Sequence, residues 1–163
     1  MQRIIASRPR AALIGAIAAL AALSVGAASA SAATNAVTRT FFFTAKPGSK
    51  TKTLFNVNQL TINARCDSNG NPVVFAFSSA SNADMFVRVF DGFGRLHTFK
   101  STSFSKGTKG MALSSASNDF DSTGSALFGT STGNVVTVNY AFDNATTMNG
   151  LNICAVYGSY VAS

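Results

Sequence analysis

An all-β fold is predicted: an antiparallel two-sheet sandwich, jelly-roll-like, of about nine or ten short strands closed by one disulfide. Three observations predict it. Apolar and polar residues alternate with period two along most of the chain after residue 37, as they do in half-buried strands. Turn-forming Gly, Asn, Asp and Pro recur at spacings of about 8–12 residues, which is the punctuation of a sandwich or small barrel. Phe is plentiful at 14 while Trp and Glu are absent, a balance that favours strands over helices.

The 163 residues fit one domain preceded by an export signal. Met1 to Arg10 carries Arg3, Arg8 and Arg10 and no acid. Ala11 to Val25 is apolar, and both Ala28-Ser29-Ala30 and Ala30-Ser31-Ala32 match the small-residue pattern of a cleavage site. At about 15 residues the apolar run is short of the ~20 needed to span a bilayer. The expected organisation is therefore a secretory signal over residues 1–32, cleaved within 30–33, a short lead-in over 33–37, and a single β-sandwich over 38–162. No second apolar run follows, so the mature form carries no membrane span. Removing three signal arginines from 13 cations leaves ten against six aspartates, a net charge of +4.

Strands follow in order. In Leu60 to Cys66 the set Leu60, Ile62, Ala64 and Cys66 is apolar and Thr61, Asn63 and Arg65 polar, a half-buried strand that carries Cys66 inward. Val73, Phe75 and Phe77 form the expected inner face of the next strand. Met85, Val87 and Val89 form another, with Phe86 and Phe90 opposite them, a pattern that predicts burial on both sides. Val136, Val138, Tyr140 and Phe142 alternate with Thr137, Asn139 and Ala141. Along Leu151 to Val161, one face takes Leu151, Ile153, Ala155 and Tyr157 and the other Asn152, Cys154, Val156 and Tyr160. The turns between them are Lys46-Pro47-Gly48-Ser49, Asp67 to Pro72, Asp91-Gly92-Phe93-Gly94, Lys106-Gly107, Ser122-Thr123-Gly124, Thr132-Gly133-Asn134 and Asn149-Gly150. Asn69-Gly70 predicts a type I′ hairpin. Ser114 to Asp121 reads as a loop or one helical turn.

Cys66 and Cys154 are the only cysteines, and in an exported chain an even count predicts a bridge. It would close a loop of 89 residues and tie the last strand to an early one. Two separated cysteines and one histidine do not make a zinc site.

The motifs that could carry chemistry are sparse. Gly129-Thr130-Ser131-Thr132-Gly133 matches G-x-S-x-G, but a strand follows where a hydrolase needs a helix, and His97 precedes the serine. A Gly-bounded hairpin is expected there. Asp67, Asn69 and Asn71 space three oxygen side chains two apart, as a calcium loop begins, yet no acid follows to complete six to eight ligands. Asp119 and Asp121 are the only near carboxylate pair that could act on a glycoside. His97 lies within a strand and lacks a nucleophile and an orienting group in the sequence. No catalytic set can be assembled, and neither a cofactor nor a resident metal is expected.

Arg39, Lys46, Lys50 and Lys52 lie close together in the sequence and suit contact with an anionic surface. Basic and aromatic residues also mix as they do in nucleic-acid platforms, but Phe at strand spacing reads as core, and no nucleic-acid partner is expected. Without Trp, and with Tyr140, Tyr157 and Tyr160 as the only tyrosines, the flat-ring signature of a sugar-binding module is weak.

Three segments resemble small exported proteins of unknown function from high-GC Gram-positive bacteria. They are the Ala-rich leader ending Ala28-Ser29-Ala30-Ser31-Ala32-Ala33, the stretch Leu54-Phe55-Asn56-Val57 running into Leu60 to Cys66, and Leu151 to Val156. The resemblance implies an exported β-domain and assigns neither an activity nor site residues. The expected function is a non-catalytic extracellular or cell-envelope domain, binding or structural, with an anionic envelope polymer or glycan as partner. The alternatives are a secreted hydrolase and a calcium-stabilised glycan-binding module. Oligomeric state is left open.

Overall fold

The computed structural model describes residues 36–114, 122–148 and 151–163. The leader over 1–32, residues 33–35 of the lead-in, the Asp119–Asp121 pair and the Asn149-Gly150 turn lie outside the described residues. So does the stretch 115–121 that was expected to be a loop or helical turn. Within the described residues the chain forms ten strands: β1 (Val37–Ala45), β2 (Lys52–Val57), β3 (Leu60–Cys66), β4 (Pro72–Ser78), β5 (Ala83–Phe90), β6 (Leu96–Ser101), β7 (Met111–Ala112), β8 (Ser122–Thr130), β9 (Val135–Met148) and β10 (Leu151–Ala162). They pair in two antiparallel sheets, one of six strands ordered β1-β10-β9-β8-β5-β6 and one of four ordered β2-β3-β4-β7. The architecture is the two-sheet sandwich that the alternation predicts. No helix among the described residues is long and apolar enough to cross a membrane.

The inner faces follow the period-two rule. Leu60, Ile62, Ala64 and Cys66 of β3 are buried, as are Val136, Val138, Tyr140 and Phe142 of β9 and Cys154, Val156 and Tyr160 of β10. Two expectations need correction. On β4 the inner set is Pro72, Val74 and Ala76, while Val73 and Phe75 are half-buried and Phe77 is exposed. Pairing opposite β3 aligns Val74 with Ala64 and Ala76 with Ile62, so the smaller side chains share the inner face. Both parities of β4 are apolar, and the space inside is already filled by rings from β9, such as the stacked Tyr140 and Phe142. The core needs small partners there. On β5 the inner set Met85, Val87 and Val89 is as expected, but the strand is not buried on both sides. Phe90 stands exposed, and Phe86 is half-buried with the Arg88 guanidinium 5.1 Å from the centre of its ring.

Small residues make the inner packing possible. The register aligns Phe41, Gly158, Tyr140, Gly124 and Val89 in one inner row across β1, β10, β9, β8 and β5. A Cβ on Gly124 would fall 2.6 Å from the Tyr140 ring, and one on Gly158 would strike the Asn139 carbonyl oxygen and the Phe41 ring. With these spaces open, the Tyr140 hydroxyl donates to the Leu113 carbonyl at 2.9 Å. Leu113 in turn donates its backbone N–H to Val74 of β4. Burial raises the Tyr140 phenol well above its ordinary range, so it stays a donor.

Three hairpin turns share one design. In Asp67 to Asn71 the Asp67 N–H donates to Asn71 O, Gly70 N–H returns to Asp67 O, and the Asp67 carboxylate accepts from the Asn69 and Asn71 N–H groups. Asp91 to Arg95 repeats every one of these bonds, with Gly94 in place of Gly70. Thr130 to Asn134 repeats the backbone pair, with the Thr130 hydroxyl accepting from Asn134 N–H. The fourth residue is glycine at φ between +77° and +90° in all three, where a side chain would be strained. The Asp67 turn is therefore a hairpin, as expected, but not type I′, because only Gly70 has positive φ. The true two-residue turn of that type joins β2 to β3, where Asn58 (φ 45°) and Gln59 (φ 69°) both lie in the left-handed region.

Cys66 on β3 and Cys154 on β10 form the disulfide, with Cα atoms 5.9 Å apart. The two strands belong to different sheets, so the bond clasps the sandwich across its interior. Reduction, or replacing both cysteines by serine, is expected to lower the unfolding free energy by about 4–5 kcal/mol, the chain-entropy value for a loop of this length. Urea denaturation of oxidised and reduced protein measures it, and two alkylatable thiols in the unreduced, denatured protein would exclude the bond.

Candidate functional site

The polar residues singled out in the sequence are first accounted for by turns. Asp67 uses Oδ1 for two backbone N–H groups, and its Oδ2 accepts from Asn71 Nδ2 at 3.1 Å. Burial pushes the Asp67 carboxyl up, but the Asn71 and Asn69 hydrogen bonds and the Arg65 charge outweigh it, and the net shift is downward. Asn71 thus turns an N–H donor, not an oxygen, toward the carboxylate where a calcium ion would need ligands. Among the described residues no three His, Cys, Asp or Glu side chains gather as a metal site.

The basic residues divide. The turn holding Lys46 is fixed to the β3–β4 end by the bond from Gly48 N–H to Asp67 O and by Cys66 N–H donating to Ser49 Oγ. Lys46, Lys50 and Lys52 bracket that contact and are all exposed. Arg39 is also exposed, but it lies six residues from Ala45 along β1, about 20 Å away in an extended strand. It does not join the lysines.

His97 gains a partner that sequence reading missed. Its Nε2 lies 2.9 Å from Asp91 Oδ2, with the imidazole as donor because an ionised carboxylate only accepts. The Asp91 side chain is fully enclosed, and it also accepts from Phe93 N–H, Arg95 N–H and Arg95 Nε. The signal was present, since Asp91 opens a turn and His97 returns on the same face. Ser131 is elsewhere. Its N–H bonds Asn82 O beside Ala83, whereas His97 pairs with Val89. Six residues of strand separate the two, again about 20 Å. Gly129 to Gly133 spans the end of β8 and a hairpin turn, the Gly-bounded hairpin expected there.

The surface with the most to offer is the outer face of the six-stranded sheet. Its registers define cross-strand rows. One row is polar: Thr40, Ser159, Asn139, Ser125, Arg88 and Thr98. The row on one side holds Phe42 and Tyr157 at one end and Phe90 and Leu96 at the other. The row on the other side holds Val161, Leu127, Phe86 and Lys100. Of these, the large apolar residues other than Phe86 are exposed, from Val161 at 41% to Phe42 at 67%. Strand spacing sets the polar row at about 24 Å long and the rows about 7 Å apart. A cleft of about 290 Å³ opens on the polar row between Arg88 and Phe90 of β5 and Thr123 and Ser125 of β8. A second, about 250 Å³ and mostly apolar, lies against Phe86, Leu127 and Val135, with Asp84 and Lys100 beside it. Gly129 helps to open it, since nothing lies within 4 Å of where its side chain would be.

Comparison with known protein families, with curated proteins and with solved structures finds no match.

The Asp91 cluster sets an acid limit on the fold. The His97 hydrogen bond, opposed by burial and reinforced by the Arg95 backbone and side chain, holds the Asp91 carboxyl down from 3.8 to about 2. A folded value below the unfolded one stabilises the native state fully above about pH 4, and this contribution is lost as pH falls from 3.8 through about 2. Asp91→Asn should therefore lower stability at neutral pH and flatten the stability profile in that acid window. Thermal melts between pH 5 and about pH 2 read the effect, and an unchanged acid slope would show that Asp91 is not responsible.

Proposed function

We propose that this protein is a non-catalytic extracellular domain that binds a glycan of the cell envelope on the outer face of its six-stranded sheet. The observation that carries the reading is the polar row flanked by exposed rings. An extended sugar chain presents hydroxyls along its edges and apolar C–H faces, and it needs both kinds of partner in register. The Ser, Thr and Asn side chains supply two-way hydrogen bonding, and the rings of Phe42, Tyr157 and Phe90 supply flat apolar surface. Arg88 in the row and Lys100 beside it favour an anionic sugar polymer. An exposed apolar surface of this extent on a folded domain marks an interaction site. The non-catalytic part is supported by the His97 partner being engaged in a turn and by Ser131 lying far from it. The extracellular part is supported by the tripartite leader in the sequence and by a buried disulfide.

Sedimentation of purified protein with insoluble envelope polysaccharide tests the reading. Retention is expected at low salt and largely preserved at high salt, and Tyr157→Ala and Arg88→Ala should each weaken it several-fold. If binding is driven instead by the lysine cluster, retention falls steeply with salt and follows Lys46, Lys50 and Lys52. No retention at low salt, or turnover of the polymer, overturns the proposal. Export has its own measure: protein recovered from culture medium should begin at Ser31 or Ala33.

A further inference from the structure

The geometry points to a homodimer formed by antiparallel pairing of β1 with β1 of a second copy. This does not depend on what the outer face binds. The six-stranded sheet ends in β1 on one side and β6 on the other, and the four-stranded sheet ends in β2 and β7. An edge strand presents unpaired N–H and C=O groups, and folded proteins blunt such edges with lysines, bulges or short length. Three of the four edges are blunted. β7 has two residues. β2 carries Lys52 and a bulge between Thr53 and Phe55. β6 has six residues and carries Lys100. β1 is different: nine residues, no proline, an unbroken register with β10, and Arg39 as its one charge.

The second copy is the occupant because the edge complements itself. A two-fold axis at Phe41 pairs all nine residues, Val37 with Ala45 and Thr40 with Phe42 of the second copy. Arg39 then faces Phe43, so no like charges oppose one another. Phe41 is half-buried at the margin of the core, 5.3 Å from the Phe55 ring. On the axis it meets its counterpart and continues the core across the junction. Phe42, exposed on the outer face beside Tyr157, comes within diagonal reach of its own copy. A closed two-fold leaves no β1 edge free for further growth, and it joins two six-stranded sheets into one of twelve.

Native mass spectrometry and sedimentation of the purified protein over a dilution series, with no polysaccharide present, test the proposal. A reversible monomer–dimer equilibrium is expected. Phe42→Lys should shift it at least ten-fold toward monomer, while Thr98→Lys on β6 should leave it unchanged. Should Phe42→Lys fail to fold, hydrogen exchange on the unaltered protein decides. The β1 amides that point away from β10 should slow as concentration rises. A monomer at every concentration, species larger than a dimer, or a dimer indifferent to Phe42→Lys with β1 exchange independent of concentration would each overturn it. Because no polymer is present, loss of the glycan reading leaves this result untouched, and the reverse also holds.

Discussion

Between the two sheets the Tyr140 ring occupies space left by Gly124, and its hydroxyl ends on the Leu113 carbonyl beside β4. Much else follows from this large-against-small arrangement. Gly124 must lack a side chain, and on β4 the inner face is taken by Val74 and Ala76, with Phe75 half-buried and Phe77 exposed on the other face. The phenol is a costly group to bury unpaired, so the bond to Leu113 also fixes how the chain leaves β7. Leu113 N–H bonds Val74, which draws that segment onto the small sheet. The disulfide acts at another point of the same interface. The covalent link and the Tyr140–Leu113 hydrogen bond thus both join the layers.

The strands that were legible in the sequence were those with one apolar and one polar parity. β3 and β9 read directly because Thr61, Asn63 and Arg65, or Thr137 and Asn139, mark the outside. β4 and β5 were less legible because both parities are apolar, and alternation cannot choose between two hydrophobic sets. Volume matching across the sandwich chose for β4, and that information resides in β9 and β10. The turn at Asn58-Gln59 was illegible for another reason: glutamine carries no left-handed preference, so the tight connection is imposed by the strands on either side. The shared turn design at Asp67 and Asp91 could have been read, since Asp-x-x-Gly occurs at both. The candidate face was harder. Its rows are assembled from five hairpin or long-range registers, and a register error of one residue would replace every side chain in them.

The same strands serve the core on one side and an exposed, partly apolar face on the other. Natural sandwiches usually keep the solvent side polar, and the central polar row does so here. The rings at the ends of the neighbouring row, and Val161 and Leu127 opposite, break the rule at defined places. They do so on strands whose inner residues are fully buried, such as Val87 and Val138. Rigid backing of this kind fixes the outer side chains without a loop having to order on contact.

The link between Cys66 and Cys154 also governs what a backbone cut would do to the fold. Several exposed turns lie within the span it closes, including those at Gly94, Gly107 and Gly133. A single cut at any of them would open the backbone yet release nothing, because both pieces stay tethered by sulfur. Each fragment would remain at high effective concentration beside its complement, and the interdigitated strands could re-dock. Damage at a turn becomes a nick in a two-chain molecule rather than the loss of a domain.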